Sequence, residues 1–241
     1  MVSFEIKYSK SLTPIEVKEI IKLFNLTFSN EMTEDHFKWK YQTNPSSNSF
    51  HLLGKNQEKL VLCRNFWSLD ILPEKTVQCV DTIIHPNFQG YGLFSKSQKF
   101  LDENCYDVQY YNLPNSISRP IYLKKGWLIK SKTKIKLTTP KQIKTIKLPE
   151  NIDYLNWRYV EGNKEYFKSK YQDGWIIYFL KYRYFPVAIG FTKVDVMLDI
   201  RNCNFFVTYD DILGIPIRKK KNITIGKNMK LDLFFHYFDM F

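Results

Sequence analysis

The stretch VQCVDTIIHPNFQGYGLFSKSQKFL, residues 77–101, is the most informative part of the chain. Residues 77–84 predict a strand that Pro86 ends, and residues 93–104 predict a helix. Between them, the turn QGYG at residues 89–92 directs several backbone N–H groups to one place, ahead of the positive end of the helix. A pyrophosphate fits such a place, because glycine allows close approach. The alternative is an ordinary strand-to-helix turn that needs glycine only for its dihedral angles.

The elements around this turn predict a mixed α/β sheet in the order β-α-α-β-β-β-α-β-α-β. A helix is expected to open at Thr13 and Pro14, with the threonine as its cap. A second helix is expected at residues 33–41, the third is the helix at 93–104, and a fourth, after a strand at 107–111, is expected at 115–124. The other strands are expected at residues 4–8, 50–53, 59–66 and 127–137.

The second half of the chain predicts a separate α+β domain. Residues 1–138 form the first predicted domain, residues 139–150 a linker bounded by prolines, and residues 151–241 the second domain, with strands such as 175–182 and 204–209. The segment LNWRY at 155–159 repeats FKWKY at 37–41, each in a predicted helix ahead of strands. This repeat indicates either a degenerate second copy of the first half or a chance match.

The composition indicates a folded, strongly basic chain. It has 241 residues, 44% of them hydrophobic and 17% aromatic, with 36 Lys and Arg against 24 Asp and Glu, a net charge of +12. A positive field attracts nucleic acid, anionic membranes or small phosphorylated ligands, and charge alone does not choose between them. The one dense basic run, RKKK at 218–221, is expected to form a solvated turn.

The sequence predicts a cytoplasmic location. No window is as apolar as a membrane helix, and the N-terminal MVSFEIKYSK lacks the apolar part of a signal peptide. The cysteines fit no metal-ligand or redox spacing, so we expect reduced thiols and no metal site. They are Cys63, Cys79, Cys105 and Cys203.

A second motif, NSISRPIYLKKGW at residues 115–127, begins 26 residues after Gln89. The two motifs together closely resemble the GNAT superfamily of acyl-CoA-dependent N-acyltransferases. That family carries Q/R-x-x-G-x-G/A after its fourth strand, and later a helix that begins with asparagine and ends in Tyr-x-x-x-Gly-aromatic. The resemblance covers residues 4–137 and implies a GNAT-like, mostly antiparallel twisted sheet with a splay between strands 4 and 5.

The resemblance also implies a site for acetyl-CoA or another short acyl-CoA. The pyrophosphate would lie on the turn, and an N–H near Ile84 would stabilise the oxyanion beside the fourth strand. Tyr122 matches the tyrosine that donates a proton to the departing thiolate. Phe94 stands where the family has Gly or Ala, and we expect it to pack in the core. The expected cofactor-binding residues are Ile83, Ile84, Gln89, Gly90, Tyr91, Gly92, Leu93, Phe94, Ser95 and Asn115.

A general base is needed because an amine at neutral pH is mostly an ammonium ion without a lone pair. Asp81 lies three residues before Ile84, where polyamine-acting members of the family often carry a carboxylate. Asp81 could equally cap or bridge neighbouring backbone. His85, at the end of the same strand, is the second candidate, and His51 on the second strand could reach the same cleft.

The FKWKY segment resembles GNAT members of bacterial surface-polysaccharide pathways, some of which acylate a nucleotide-linked deoxyamino sugar. Such an acceptor is an anionic diphosphate, which stacking aromatics and basic side chains would suit. The alternative is that both tryptophans are core residues of amphipathic helices. The expected substrate-binding residues are Trp39, Lys40, Tyr41, His51, Trp157 and Arg158, the last two from the second domain.

Three other interpretations remain open. One is a GNAT enzyme for another amine, such as a polyamine, aminoglycoside or peptide, although a polyamine site should be acidic. Another is a basic nucleic-acid-binding module, for which one short basic run is weak support. The last is a GNAT fold that binds coenzyme A without turnover.

Overall fold

The computed structural model describes residues 2–29, 31–45, 49–68, 76–105, 107–115, 118–162, 164–208 and 215–227, the last range and residues 130–136 by backbone alone. The described residues form two compact units, which we describe one at a time. The first consists mainly of residues before Ile129, and the second mainly of residues 129–225 together with residues 113–115. None of the described helices is long and apolar enough to cross a bilayer.

The first unit has the predicted order of helices and strands. Its strands lie in the order β1-β2-β3-β4-β5, antiparallel except that β5 runs parallel to β4. The elements are β1 (Val2–Tyr8), α1 (Pro14–Thr27), α2 (Glu34–Phe37), β2 (Phe50–Asn56), β3 (Lys59–Ser68), β4 (Thr76–Ile84), α3 (Leu93–Asn104), β5 (Gln109–Asn112) and α4 (Ser118–Lys124).

The helix starts follow from local side-chain chemistry, and one helix differs from its prediction. The Thr13 side chain accepts from the Glu16 N–H and the Glu16 side chain accepts from the Thr13 N–H, a capping box that fixes the start of α1. The helix predicted at 33–41 is α-helical only to Phe37 and continues as a π-helical segment, Lys38–Gln42. This wider turn buries both Lys40 and Tyr41.

Strands β4 and β5 separate after a short pairing. They pair only from Thr76 opposite Gln109 to Gln78 opposite Tyr111. Residues 79–84 of β4 continue without a β5 partner in the described part of the chain, and we call this uncovered edge the strand gap. A β-bulge in the β3–β4 pairing, opposite residues 64–66, lies beside it and bends β4 locally. The strand gap lies where the family resemblance implies a splay between strands 4 and 5.

The second unit is a second mixed sheet. Its strand order is β12-β6-β11-β9-β8-β7-β10, and β7, β8 and β9 form two antiparallel hairpins. Its core includes Phe167, Tyr178, Phe191 and Phe206. The elements are β6 (Leu128–Thr138), α5 (Pro140–Ile143), α6 (Ile152–Leu155), β7 (Phe167–Tyr171), β8 (Gly174–Lys181), β9 (Phe185–Thr192), β10 (Asp199–Ile200), β11 (Phe206–Thr208) and β12 (Ile215–Lys227).

Two segments of the second unit differ from their sequence interpretations. Within residues 139–150, interpreted above as a linker, Ile143 and Leu148 are buried and Leu148 N–H donates to the Phe191 carbonyl at 2.8 Å. This segment is therefore packed, because its apolar residues meet the β9 strand. The basic run at 218–221 lies inside β12, so its prediction as a turn is wrong. The limits of the two predicted domains stay a prediction.

The sequence repeat is accompanied by a structural repeat. The α6 helix continues as a π-helical segment, Asn156–Val160, just as α2 continues as Lys38–Gln42. Each segment buries a basic residue followed by a tyrosine, Lys40 with Tyr41 and Arg158 with Tyr159. Each is followed by three antiparallel strands.

Candidate acyl-CoA site

The turn after β4 has the backbone that its glycines predict. A 3-10 turn, Pro86–Phe88, leads into Gly90 at φ +82° and Gly92 at φ +73°, and Gly92 is the N-cap of α3. An L-residue in this left-handed region costs about 1–2 kcal/mol. A Cβ atom at either glycine would meet no atom within 4 Å, so the dihedral angles, and not crowding, require glycine here. The described residues therefore leave open space at both Cβ positions.

The backbone amides of residues 90–95 are available to a ligand. The first intrahelical bond of α3 runs from Lys96 N–H to the Gly92 carbonyl at 3.1 Å, so the N–H groups of residues 93–95 lie before it. Among the described residues, no acceptor is found for the N–H groups of residues 90–95. Six donors without an acceptor among the described residues therefore lie at the positive end of a twelve-residue helix, an arrangement that binds anions in proteins.

Gln89 makes its own hydrogen bonds within the turn, and its predicted role in cofactor binding stays a prediction. Its N–H donates to the Pro86 carbonyl at 3.2 Å, and its side-chain Nε2 donates to the Ile84 carbonyl at 3.0 Å. Both donors are therefore used within the turn. Gln89 fixes the end of β4 against the turn, and the amides that follow it are the ones left for a ligand.

The side chains of residues 91–95 differ in their exposure to solvent. Tyr91 is exposed, Leu93 is buried, and Ser95 is half-buried. Phe94 packs edge-on against Tyr122, with ring centroids 5.1 Å apart, as a residue of the core would. Leu93 and Phe94 can therefore contribute N–H groups to a ligand, whereas their side chains hold the helix in place.

An oxyanion donor is available at the strand gap. His85 N–H donates to the Val61 carbonyl of β3 at 2.9 Å. Because backbone groups alternate along a strand, the Ile84 N–H points the other way, into the strand gap. The Ile84 carbonyl on that same edge is the group that Gln89 holds. The neighbouring Ile83 side chain is buried.

Tyr122 reaches the same edge of β4. Its ring is buried between Phe94 and Trp127, whose centroid lies 4.7 Å away. Burial raises the pKa of Tyr122, as does the nearby Cys79, while Arg64 and a side-chain hydrogen bond with Thr82 lower it. The hydroxyl therefore stays protonated beside the strand gap, in the state that a proton donor requires.

Asp81 is held in a buried ion pair. Its carboxylate lies 2.9 Å from Lys40 Nζ and accepts a hydrogen bond from the Tyr41 hydroxyl on the same oxygen. Burial and Asp81 together raise the pKa of Tyr41 well above its ordinary value. The Asp81 carboxylate is therefore already compensated, which argues against its use as a free base.

His85 is more exposed than Asp81 and has fewer polar partners. It is half-exposed at the end of β4, and its Nδ1 accepts from Asn87 N–H at 3.2 Å. Its ring meets Phe88 edge-on at 5.7 Å. Nε2 accepts no hydrogen bond from the described residues, so His85 is the better placed of the two predicted bases.

The predicted acceptor residues are mostly buried. His51 is fully buried, with Nε2 2.9 Å from Ser9 Oγ and Nδ1 2.7 Å from Asn65 Oδ1, and burial lowers its pKa to about 4. Trp157 and Arg158 are buried in the second unit. Lys40 and Tyr41 are buried as well. Burial of these five side chains argues against direct contact with an acceptor. Their predicted role in substrate binding stays untested.

Two predicted residues remain at the surface. Trp39 is half-exposed, with its ring 6.4 Å from that of Trp67 in an edge-on contact. Asn115 is exposed ahead of α4, whose described part begins at Ser118. The helix predicted at residues 115–124 includes residues 116–117, which lie outside the described residues.

Arg64, which contacts the Phe94 ring that packs on Tyr122, is not among the residues predicted from the sequence. The residue is buried on β3, opposite Thr82 of β4. The available signal was an arginine inside the otherwise apolar strand KLVLCRNFWS. A charged residue in such a strand is rarely buried without a reason.

Comparison with known proteins gives the class of fold. No protein-family model and no curated protein matches the chain. The crystal structure of a GCN5-related N-acetyltransferase from Kribbella flavida is similar over 93% of this chain and 71% of its own, with a TM-score of 0.59 at 9% identity.

Two shorter structures resemble about half of the chain. An acyl-CoA N-acyltransferase from Pseudomonas aeruginosa covers 54% of this chain and 90% of its own, at 13% identity and a TM-score of 0.43. ElaA from Escherichia coli covers 55% and 91%, at 14% identity and a TM-score of 0.42. The structural neighbours are GNAT acetyltransferases, and the Kribbella likeness shows that this chain has a GNAT-like fold.

Proposed function

We propose that the protein is an N-acyltransferase that moves an acetyl or other short acyl group from acyl-CoA to an amine by direct attack. The observation that carries this proposal is the set of unpaired amides at residues 90–95, beside a strand gap that Ile84 and Tyr122 border. A pyrophosphate on these amides would direct the rest of acyl-CoA towards β4. The GNAT-like fold supports the same placement.

The reaction follows from the groups at the strand gap. The amine nitrogen attacks the thioester carbonyl carbon, and the Ile84 N–H stabilises the oxyanion that forms. The C–S bond then breaks with its electron pair on sulfur, and the Tyr122 hydroxyl donates a proton to the thiolate. The proton lost by the nitrogen passes to a base, for which His85 is the candidate, and solvent returns a proton to Tyr122.

The proposed acceptor is the amino group of a nucleotide-linked deoxyamino sugar. The net charge of +12 and the half-exposed Trp39 support an anionic acceptor with a stacking base. Another small-molecule or peptide amine is the second candidate, because most of the predicted sugar-binding residues are buried. A cytoplasmic location is part of the proposal and rests on the sequence.

The second unit is proposed to be a degenerate GNAT-like half. The repeated α-to-π helix and the three antiparallel strands after it support a common origin with the first unit. The described chain after β9 continues through residues 193–198 to β10, without a glycine turn that opens a helix. The second unit therefore has no counterpart of the amides at 90–95 in its described residues.

A thermal-shift screen of acyl-CoAs, each with and without nucleotide-linked amino sugars, tests the proposal. A ligand at 100 times its dissociation constant should stabilise the fold by roughly 2.7 kcal/mol. A shift with acetyl-CoA that grows when a nucleotide sugar is added supports the sugar acceptor. Absence of a shift with every acyl-CoA contradicts the proposed function as a whole.

The variant Tyr122→Phe separates an enzyme from a protein that only binds coenzyme A. Loss of the proton donor should lower kcat about 100-fold with little effect on the dissociation constant of acyl-CoA. Thiol release measures the rate, and calorimetry measures binding. Unchanged turnover in the variant would remove Tyr122 from the mechanism.

A further inference from the structure

Arg64 is a buried cation whose hydrogen bonds go to two uncharged side chains, those of Ser97 and Gln98. Its side chain is 1% exposed, with Nη1 donating to Ser97 Oγ at 3.3 Å and Nη2 donating to Gln98 Oε1 at 3.0 Å. Gln98 Nε2 donates to Asp102 Oδ1 at 2.9 Å, which turns the Gln98 oxygen towards Arg64. The guanidinium is therefore held in one orientation by α3.

The charge of Arg64 has no carboxylate partner among the described residues, and its Nε has no hydrogen-bond partner there. Two other buried cations of the described chain are paired with carboxylates, Lys40 with Asp81 and Lys168 with Asp195. An uncompensated buried charge costs several kcal/mol. Such an arrangement is useful where negative charge appears only during a reaction.

Arg64 lies against the groups that surround the Tyr122 hydroxyl. Its Cζ is 4.6 Å from the Phe94 ring centroid, and Phe94 packs edge-on against Tyr122. Arg64 is opposite Thr82 across the β3–β4 pair. The positive charge of Arg64 also lowers the pKa of both Tyr122 and Cys79, which shows that its field reaches these two groups. Thr82 belongs to the part of β4 that borders the strand gap, where the proposed thioester would be cleaved.

We infer that Arg64 is a positioning residue that holds the Tyr122 hydroxyl towards the strand gap and stabilises the negative charge this hydroxyl acquires as its proton moves to the departing thiolate. The inference rests on the proposed function. In this step the C–S bond breaks with its electrons on sulfur, and the O–H bond of Tyr122 breaks as the S–H bond forms. The tyrosinate that remains faces the guanidinium until solvent reprotonates it.

The step predicts a measurable property of bound coenzyme A. A hydroxyl held towards the sulfur donates a hydrogen bond to the thiolate, which favours the thiolate over the thiol. Coenzyme A bound to the natural protein should therefore have a lower thiol pKa than free coenzyme A. Arg64→Gln should raise the pKa of the bound thiol by about one unit, a tenfold change in the ratio of thiolate to thiol. Arg64→Lys should give a smaller rise, because it keeps the charge and loses the fork of donors.

The experiment titrates coenzyme A bound to the full chain and follows the ultraviolet absorbance of the thiolate. Desulfo-coenzyme A serves as the blank for the protein's own cysteines. The proteins are the natural chain, Arg64→Gln, Tyr122→Phe and the double variant. Lys168→Gln serves as a matched control, because it removes a buried cation of the second unit. The control should leave the pKa of the bound thiol unchanged.

The double variant decides whether Arg64 acts through Tyr122. In the Tyr122→Phe background, Arg64→Gln should shift the thiol pKa by much less than it does in the natural chain. Equal shifts in both backgrounds, or no shift in either, overturn the inference while the proposed function stands. Absence of coenzyme A binding to the natural chain, seen by calorimetry, overturns the proposed function and the inference together. If Arg64→Gln does not fold, Arg64→Lys carries the same comparison.

Discussion

At the scale of single residues, His51 connects burial to the pH dependence of stability. Burial lowers its pKa to about 4 from the ordinary 6.5, although the hydrogen bond to Asn65 works in the opposite direction. Between these values the unfolded chain binds a proton that the folded chain does not. The stability that His51 contributes is therefore fully present above pH 6.5 and is lost as the pH falls towards 4.

We expect the free energy of unfolding to fall by about 3 kcal/mol between pH 6.5 and pH 4 because of this one residue. Urea unfolding at a series of pH values measures the change. His51→Gln should remove most of the slope, whereas His36→Gln should keep it, since His36 is only half-buried. A His51→Gln variant with the natural slope contradicts this assignment.

Replacement of glycine by alanine should lower the free energy of unfolding by different amounts at Gly174 and Gly92. At Gly174 a Cβ would lie 2.5 Å from the Thr192 carbonyl oxygen and would also clash with the Phe191 ring. At Gly92 it would meet no atom within 4 Å, and only the positive φ opposes it. Gly174→Ala should therefore lower the free energy of unfolding by about 3 kcal/mol and Gly92→Ala by about 1 kcal/mol. Chemical denaturation measures both values, and the reverse order would show that the turn is more constrained than the β8–β9 hairpin.

The sequence could predict the turn amides, because they depend on residues that are neighbours in the chain. It could not predict the state of Asp81. The partner of Asp81 is Lys40, 41 residues away, and the π-helical turn that brings Lys40 inward has no clear sequence signal. Arg64 was missed for the same reason, since its contacts with Ser97 and Gln98 depend on how α3 packs over β3.

At the scale of elements, the π-helical segment Lys38–Gln42 is joined to β4 by the buried Lys40–Asp81 pair. Removing one partner leaves a buried charge uncompensated, which costs more than removing both. Lys40→Met should therefore lower the free energy of unfolding by about 3 kcal/mol. Adding Asp81→Asn should recover part of this loss, because asparagine is neutral and still accepts from Tyr41.

Urea unfolding of the two single variants and the double variant measures this coupling. Lys99→Met is a suitable control, because Lys99 is exposed and pairs with Glu103 at 3.7 Å on the surface of α3. It should change stability very little. A double variant less stable than Lys40→Met alone would show that the pair does not join these two elements.

The starts of α1 and α3 were predicted correctly, whereas packing between distant parts of the chain was not. The capping box at Thr13 and the positive φ of Gly92 are set by residues within the same turn. The packing of residues 139–150 on β9 and the strand β12 depend on partners far away in the chain. The composition and the prolines of residues 139–150 indicate a linker, and only the contact of this segment with β9 shows that it is packed.

At the scale of the whole molecule, the structural repeat gives a prediction about stoichiometry. The first unit has open amides after β4, whereas the second unit passes from β9 towards β10 without a glycine turn and helix in its described residues. Calorimetric titration with acetyl-CoA should therefore give one site per chain. Two equivalent sites per chain would contradict the interpretation of the second unit as a degenerate half.

The most direct test of the central claim is the nuclear magnetic resonance of the Gly90 and Gly92 amides during titration. With acetyl-CoA, both amide protons should move downfield, because each would donate a charge-assisted hydrogen bond to the diphosphate. Pantetheine, which lacks the diphosphate, should leave them unchanged. If acetyl-CoA binds by calorimetry and these two amides do not move, the diphosphate lies elsewhere and the account is contradicted.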